Sequence, residues 1–305
     1  MPNWKEVLLE IQEIANKKTP GVSPLDFVRR KYLSEIEKHT KRNVIAYYSG
    51  WLQKPGVADT SINDKGKNAF MVNIHKLDRT KGLDLIIHTP GGDLAATESI
   101  IDYLKAMFGD NIRAIIPQIS MSAGTMIAFS CKEIMMGKQS NLGPIDPQMG
   151  GVACQAVIDE FNKAKNDIRQ NPHSASLWQV IISKYHPTFL IACQQAIDWS
   201  KKMAKEWLKT NMLKGKTKIV AKVMKEFGDH SRNKSHARHI SKEKCKTLGL
   251  KIVDMEDDNK LQDLILTTHH AFMHTFSNSL ATKIIENHLG VAYMENLPAP
   301  VQKTI

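Results

Sequence analysis

The chain has 305 residues, 42% apolar and 24% charged, and a formal net charge of +11. That length buries a full core in one or two domains, and that composition excludes a disordered chain. Its apolar runs are too short for a membrane-spanning helix, and "MPNWKEVLLEIQEIANKK" lacks the apolar centre of a signal peptide, so a cytoplasmic protein is expected.

In chain order, 4–18 and 24–39 read as amphipathic helices separated by the prolines and glycine of "TPGVSP". "NVIAYYS" (43–49) reads as a first strand, and "INDKGKNAFMVNIHKL" (62–77) carries apolar residues at helical spacing. Leu83 to His88 is a short apolar strand, Thr89 to Asp93 a Gly-rich turn, and Leu94 to Phe108 a helix with Ala96, Ile100, Ile101, Leu104 and Met107 on one face. "IRAIIP" (112–117) is the next strand, "SMSAG" the next turn, 123–130 the next helix, and "EIMMG" a further short strand. Beyond "LGPIDPQMGG" the pattern turns helical, with segments near 153–170, 176–212, 215–227 and 260–289 and a shorter helix from Ser241. Strands alternating with helices imply right-handed crossovers and a parallel sheet covered on both faces, here an α/β core over about residues 40–150.

Two turns leave consecutive strands at the sheet end where α/β proteins bind ligands. In "TPGGD", Gly91 and Gly92 let backbone N–H groups approach a ligand closely. In "SMSAG", a serine precedes a helix, near the positive end of its dipole. The N–H of Ala123, with that of Gly91 or Gly92, suits a carbonyl oxygen becoming an oxyanion. Two tight strand-to-helix connections account for the same residues, so spacing alone leaves both readings open.

Other chemistries find less. There is no G-x-G-x-x-G or P-loop motif, and no cofactor is expected. His270 and His274 share a helix face without the glutamate of H-E-x-x-H, and His236 and His239 lie in a basic polar segment, so no metal site is expected. Cys131, Cys154, Cys193 and Cys245 form no C-x-x-C pair and read as buried or idle thiols. Residues 201–251 hold sixteen Lys and Arg against four acids, which accounts for the whole positive excess. This stripe reads as a solvated basic face able to meet an anionic surface; with few aromatics it predicts no specific nucleic-acid recognition.

Together, "IIHTPGGDLAATESIIDYL", "SMSAGTMIAFSCKEIMM" and "SNLGPIDPQMGG" resemble the serine dehydrogenase proteinase family, within the superfamily of Clp protease, signal peptide peptidase A and crotonase. The resemblance is firm over about residues 82–151 and continues loosely to "HARHISKEKCKTLGLKIVDM" (236–255). It implies an α/β Clp/crotonase-like fold of repeated ββα units with helical N- and C-terminal extensions. The implied division is a helical extension at 1–40, a serine protease domain at 41–255, and a helical extension at 256–305 suited to subunit contacts. Motif position selects Ser122 as nucleophile and leaves Ser120 as strand-end structure; Gly91, Gly92 and Ala123 supply the oxyanion hole. The family often has glycine where this chain has Ala123, whose N–H is retained.

The resemblance leaves the base open. "GPIDPQ" offers Asp146 and no histidine, so a Clp-type triad does not carry over and Asp146 reads as a residue ordering its turn. A lysine base of the signal-peptide-peptidase kind points to Lys163 or Lys165, although both sit among acids on a solvated helix face. His236 heads the closing unit, and an imidazole needs no large pKa shift to act as base. His88 reads as a brace for the first turn. The leading expectation is a serine peptidase acting through an acyl-enzyme on peptides or unfolded chains, as a homo-oligomer. A crotonase-type acyl-CoA enzyme and a non-catalytic scaffold of the same fold are the alternatives. Any membrane association would come through the basic face or a partner.

Overall fold

The computed structural model describes residues 4–18, 20–21, 23–57, 60–233 and 235–298. In chain order, α1 (Trp4–Asn16) and α2 (Pro24–Thr40) precede β1 (Asn43–Ser49), α3 (Lys65–Ile74) and β2 (Leu83–His88). Next come α4 (Leu94–Phe108), β3 (Ile112–Ile116), β4 (Ile119–Ser120), α5 (Ala123–Ser130), β5 (Glu133–Met136) and β6 (Asn141–Leu142). A short hairpin, β7 (Gln148–Met149) and β8 (Val152–Ala153), leads into α6 (Cys154–Gln170), α7 (Ala175–Ile182), α8 (Phe189–Thr210), α9 (Thr217–Phe227) and α10 (His230–Asn233). The described chain closes with β9 (Ile240–Ser241), α11 (Lys242–Leu248), β10 (Ile252–Asp254), α12 (Asn259–Asn278), β11 (Ala281–Asn287) and β12 (Ala292–Asn296).

Seven strands form the central sheet in the order β10-β5-β3-β2-β1-β11-β12. The five from β10 to β1 are mutually parallel, while β11 runs antiparallel to β1 and β12 antiparallel to β11. The period of two in β1 divides the core. Ile45 and Tyr47 face a cluster built with Phe70, Ile100, Met126 and Phe227, whereas Val44, Ala46 and Tyr48 face Leu33, Ile265, Phe272 and Phe276. The fold is therefore mixed α/β, with a mostly parallel sheet and helices on both faces. A smaller sheet, β4-β6-β9, stands beside the carboxyl end of β2 and β3.

Two expected helices differ. The segment 176–212 is broken between α7 and α8 at Ser183–Thr188, where Pro187 has no N–H to continue the helical ladder. The helix expected over 260–289 ends at Asn278, and Ala281–Asn287 is a strand against β1. Locally "ATKIIEN" has too many polar residues for an inner strand. Distant partners offset them: buried Lys283 pairs with Glu295 at 3.2 Å, and Glu286 accepts from Arg29 and Arg30, each at 2.8 Å. Arg29 and Glu286 are both fully buried, and removing one partner of such a pair costs about 3–5 kcal/mol. Residues 299–305 of the expected C-terminal extension, and 1–3 of the N-terminal one, lie outside the described residues. No described helix is long and apolar enough to cross a membrane.

At the carboxyl end of β1 and β2, Tyr48 stacks on Phe272 at 4.0 Å, and the His88 ring lies 5.0 Å from that of His269. Burial holds both rings neutral: it lowers His269 to about 3 and sets His88 well below the ordinary imidazole value. The unfolded chain takes up these protons near pH 6.5 and the fold refuses them until far lower. Stability is thus fully present above pH ~6.5 and is lost as the pH falls through that value towards the folded pKa. The His269 ring is expected to withdraw about 2 kcal/mol between pH 7.5 and 5.0, and His88 acts in the same direction. Denaturant titrations at the two pH values check this, and a His269→Leu variant is expected to show the shallower fall.

Candidate functional site

Ser122 stands between β4 and α5 with φ 51° and ψ −116°, a positive φ that costs a residue with a Cβ roughly 1–3 kcal/mol. The surrounding backbone enforces it. Met121 N–H donates to Thr89 O (3.0 Å), Gly124 N–H to Met121 O (2.8 Å) and Met126 N–H to Ser122 O (3.1 Å). All eight residues of α5 are buried, so this helix N-terminus and its partial positive charge are fixed behind the serine. Among the described residues no hydrogen bond engages Ser122 Oγ.

The Gly-rich turn after β2 is built against this elbow. A Cβ on Gly91, whose φ is +100°, would meet Ser122 Cβ at 2.6 Å. A Cβ on Gly92 would meet Ile62 N and O at 2.3 Å. Ile62 clamps the turn from outside, donating from N–H to Gly91 O (2.8 Å) and accepting from Asp93 N–H (2.9 Å). Gly91 N–H donates to Thr89 Oγ1 at 3.2 Å and is therefore spent. The N–H groups of Gly92 and Ala123 have no acceptor among the described residues. These two glycine-turn and helix-start donors share one cleft with Ser122, of about 420 Å³.

Thr125 joins a third segment to the pair. Its hydroxyl lies 2.9 Å from the carbonyls of both Ser120 and Gly143 and accepts from Gly143 N–H at 3.0 Å. From Gly143 the chain runs to Ile145 and Pro147, which line the Ser122 cleft on either side of Asp146 in sequence. The Asp146 carboxylate is 3% exposed and receives two imidazoles: His230 Nδ1 at 2.9 Å on Oδ2 and His236 Nδ1 at 3.1 Å on Oδ1. Its side-chain partners are thus histidines 84 and 90 residues away rather than N–H groups of its own turn. Sequence reasoning missed His230; its signal was a pair of histidines six residues apart in the "HSRNKSHARH" segment.

Ser122, Gly92 and Ala123 therefore share the cleft, while His236 pairs with Asp146, which lies in sequence between the lining residues Ile145 and Pro147, and does not itself line it. Lys163 is elsewhere: its side chain is 66% exposed and pairs with Asp167 one helical turn on, at 2.8 Å. Lys165 lines a separate groove with Phe161 and Leu190. His88 faces Tyr48, Trp51 and His269 rather than the cleft, and both its nitrogens are unpartnered among the described residues. Burial pushes the Cys131 and Cys245 thiols up to about 12, which keeps them protonated. A larger depression of about 650 Å³ lies along α2, but its Arg30, Lys31 and Lys38 are already paired with Glu286, Glu10 and Glu35. No group of three or more His, Cys, Asp or Glu among the described residues is arranged to hold a metal ion.

Residues 23–274 match the family of ClpP-like SDH-type serine proteinases. The chain is also similar to two uncharacterized proteins of Methanocaldococcus jannaschii. With MJ0137 it shares 40% identity over 85 residues, 28% of this chain and 29% of the relative. With MJ1495 it shares 31% over 170 residues, 56% of this chain and 51% of the relative. The chain thus spans about half or less of the length of these relatives.

The strain at Ser122 has a readout independent of any activity. Ser122→Gly is expected to be more stable than Ser122→Ala by about 1–2 kcal/mol, because only glycine accepts this φ freely. Denaturant unfolding of the two variants checks it; equal stabilities would mean an unstrained turn.

Proposed function

The chain belongs to the ClpP-like SDH-type serine proteinase family, and from that membership we propose that it is a serine peptidase with Ser122 as nucleophile. The observation that carries the reading is the unengaged Ser122 hydroxyl sharing a cleft with two uncommitted backbone donors, Gly92 and Ala123 N–H.

A serine hydroxyl needs a neighbouring acceptor for its proton. His236 is the base in this reading. Its Nδ1–H is held by Asp146 Oδ1, which fixes the tautomer and leaves the Nε2 lone pair as proton acceptor. His236 is preferred to His230 in this reading, with support from β9, which follows His236 in the chain and pairs with β6, the strand that precedes the Asp146 segment. His230, on the other carboxylate oxygen, fixes Asp146 in place. Lys163 is set aside, since its charge is solvated and paired.

The steps then balance. Ser122 Oγ attacks the peptide carbonyl carbon while its proton passes to His236 Nε2. The carbonyl oxygen takes the negative charge facing Gly92 and Ala123 N–H, typically the largest catalytic contribution in acyl transfer. His236 returns the proton to the leaving amine as the C–N bond breaks, giving the acyl-enzyme. Water repeats the cycle and releases the acid. Asp146, hydrogen-bonded to the ring at Nδ1, stabilises the imidazolium. Peptides or unfolded chains are the substrates in this reading, and the protein works as a homo-oligomer. The exposed Leu177, Val180 and Ile191 on α7 and α8 support self-association.

Hydrolysis of fluorogenic peptides tests the mechanism. Ser122→Ala and His236→Ala are each expected to fall to background and Asp146→Asn to lose roughly 10⁴-fold in kcat. His230→Ala is expected to retain most of the rate. Undiminished hydrolysis by Ser122→Ala would end the assignment, and a larger loss in His230→Ala than in His236→Ala would move the base to His230.

A further inference from the structure

The cleft beside Ser122 has a wall that the proposed bond cleavage does not use. Leu94 from α4, Met126 from α5, Ile145 and Met149 from the Asp146 segment, and Ala196 and Trp199 from α8 surround it. Among its described lining residues the one ionisable side chain is Asp93, whose carboxylate accepts from Ala96 N–H at 2.7 Å and caps α4. No Lys, Arg or His lines it. Trp199 remains 40% exposed, a large indole surface left uncovered at the cleft.

We infer that this cleft binds an uncharged apolar side chain on the substrate residue whose carbonyl Ser122 attacks, and that Trp199 is the specificity-determining wall. This rests on the peptidase reading above. The chemistry follows from the lining. A charged side chain entering here loses its water; an acidic one meets only the like-charged Asp93 carboxylate, and a basic one only that same carboxylate, already accepting from Ala96 N–H, so either is costly. An apolar one removes its own surface and that of the indole from water. About 420 Å³ lies within the size range of small-ligand clefts and leaves room for leucine, methionine or phenylalanine. Met126 and Met149 are unbranched and adapt to the differing shapes of those side chains. The substrate class is therefore peptides with a medium or large apolar residue on the acyl side of the scissile bond, with tolerance among such residues rather than selection of one.

The test uses the full chain and peptide-coumarin substrates differing only at the acyl residue: Leu, Met, Phe, Ala, Asp or Lys. Leu, Met and Phe are expected within about tenfold of one another in kcat/KM. Ala is expected to be lower by about 10–200-fold, the range set by small changes in a hydrophobic pocket, and Asp and Lys lower still. Trp199→Ala is expected to shrink the Leu-over-Ala ratio by about tenfold and Trp199→Phe to restore most of it. In parallel, calorimetry on Ser122→Ala measures binding of product peptides ending in Leu or in Asp, with the Leu peptide expected to bind more tightly. Ser122-dependent hydrolysis with a flat or charged preference, or a preference untouched by Trp199→Ala, would overturn this inference and leave the peptidase reading standing. Absence of any Ser122-dependent hydrolysis would overturn the peptidase reading; the calorimetry then decides the cleft alone, and equal binding of the two peptides would overturn that too.

Discussion

The contact between residue 91 and residue 122 is the constraint on which the site depends. The two turns approach so closely that a Cβ on Gly91 would lie 2.6 Å from that of Ser122, and Ser122 itself is held at a positive φ. Parallel pairing of Thr89 with Ser120 brings the turns together, the Ile62 backbone presses the glycine turn from outside, and the buried helix α5 fixes the serine from behind. Strain of this kind persists only where its surroundings over-determine it. Here the outcome is a hydroxyl turned out of its own helix cap, with no hydrogen bond among the described residues, beside two N–H groups with no acceptor there. Backbone donors fixed in advance in this way are what the proposed acyl transfer would draw on.

The local parts of this arrangement were legible in the amino-acid sequence. Short aliphatic runs mark β1, β2 and β3, and the turns "TPGGD" and "SMSAG" follow the second and third of them. Their glycines and small residues announce a close approach because nothing larger fits. Gly91 and Gly92 were interchangeable at that level. They separate only through the hydrogen bonds, in which Gly91 N–H turns to Thr89 while that of Gly92 stays uncommitted.

What was not legible depends on partners far along the chain. β11 falls inside the segment read as a helix over 260–289, and it is a strand because Arg29, Arg30 and Glu295 neutralise its buried charges. Asp146 reads as a turn residue because the imidazoles that reach it come from residues 230 and 236. The helix α8 reads only as part of a long helical segment over 176–212, yet it contributes Ala196 and Trp199 to the Ser122 cleft. In each case one-dimensional spacing carries no trace of which side chains meet. The absence of a histidine in "GPIDPQ" argued against a Ser-His-Asp arrangement on local grounds; the fold brings histidines to that aspartate from another region.

In the proposed reaction Ser122 attacks a carbonyl whose charge is received by the N–H groups of Gly92 and Ala123. A crystal structure of the protein with a leucine-terminated peptide boronate, which mimics the tetrahedral adduct, measures this directly. The expected result is a bond between boron and Ser122 Oγ, with one boronate oxygen within hydrogen-bond distance of the N–H groups of both residues. A boronate bonded to another residue, or one on Ser122 with its oxygens turned away from both donors, would contradict it.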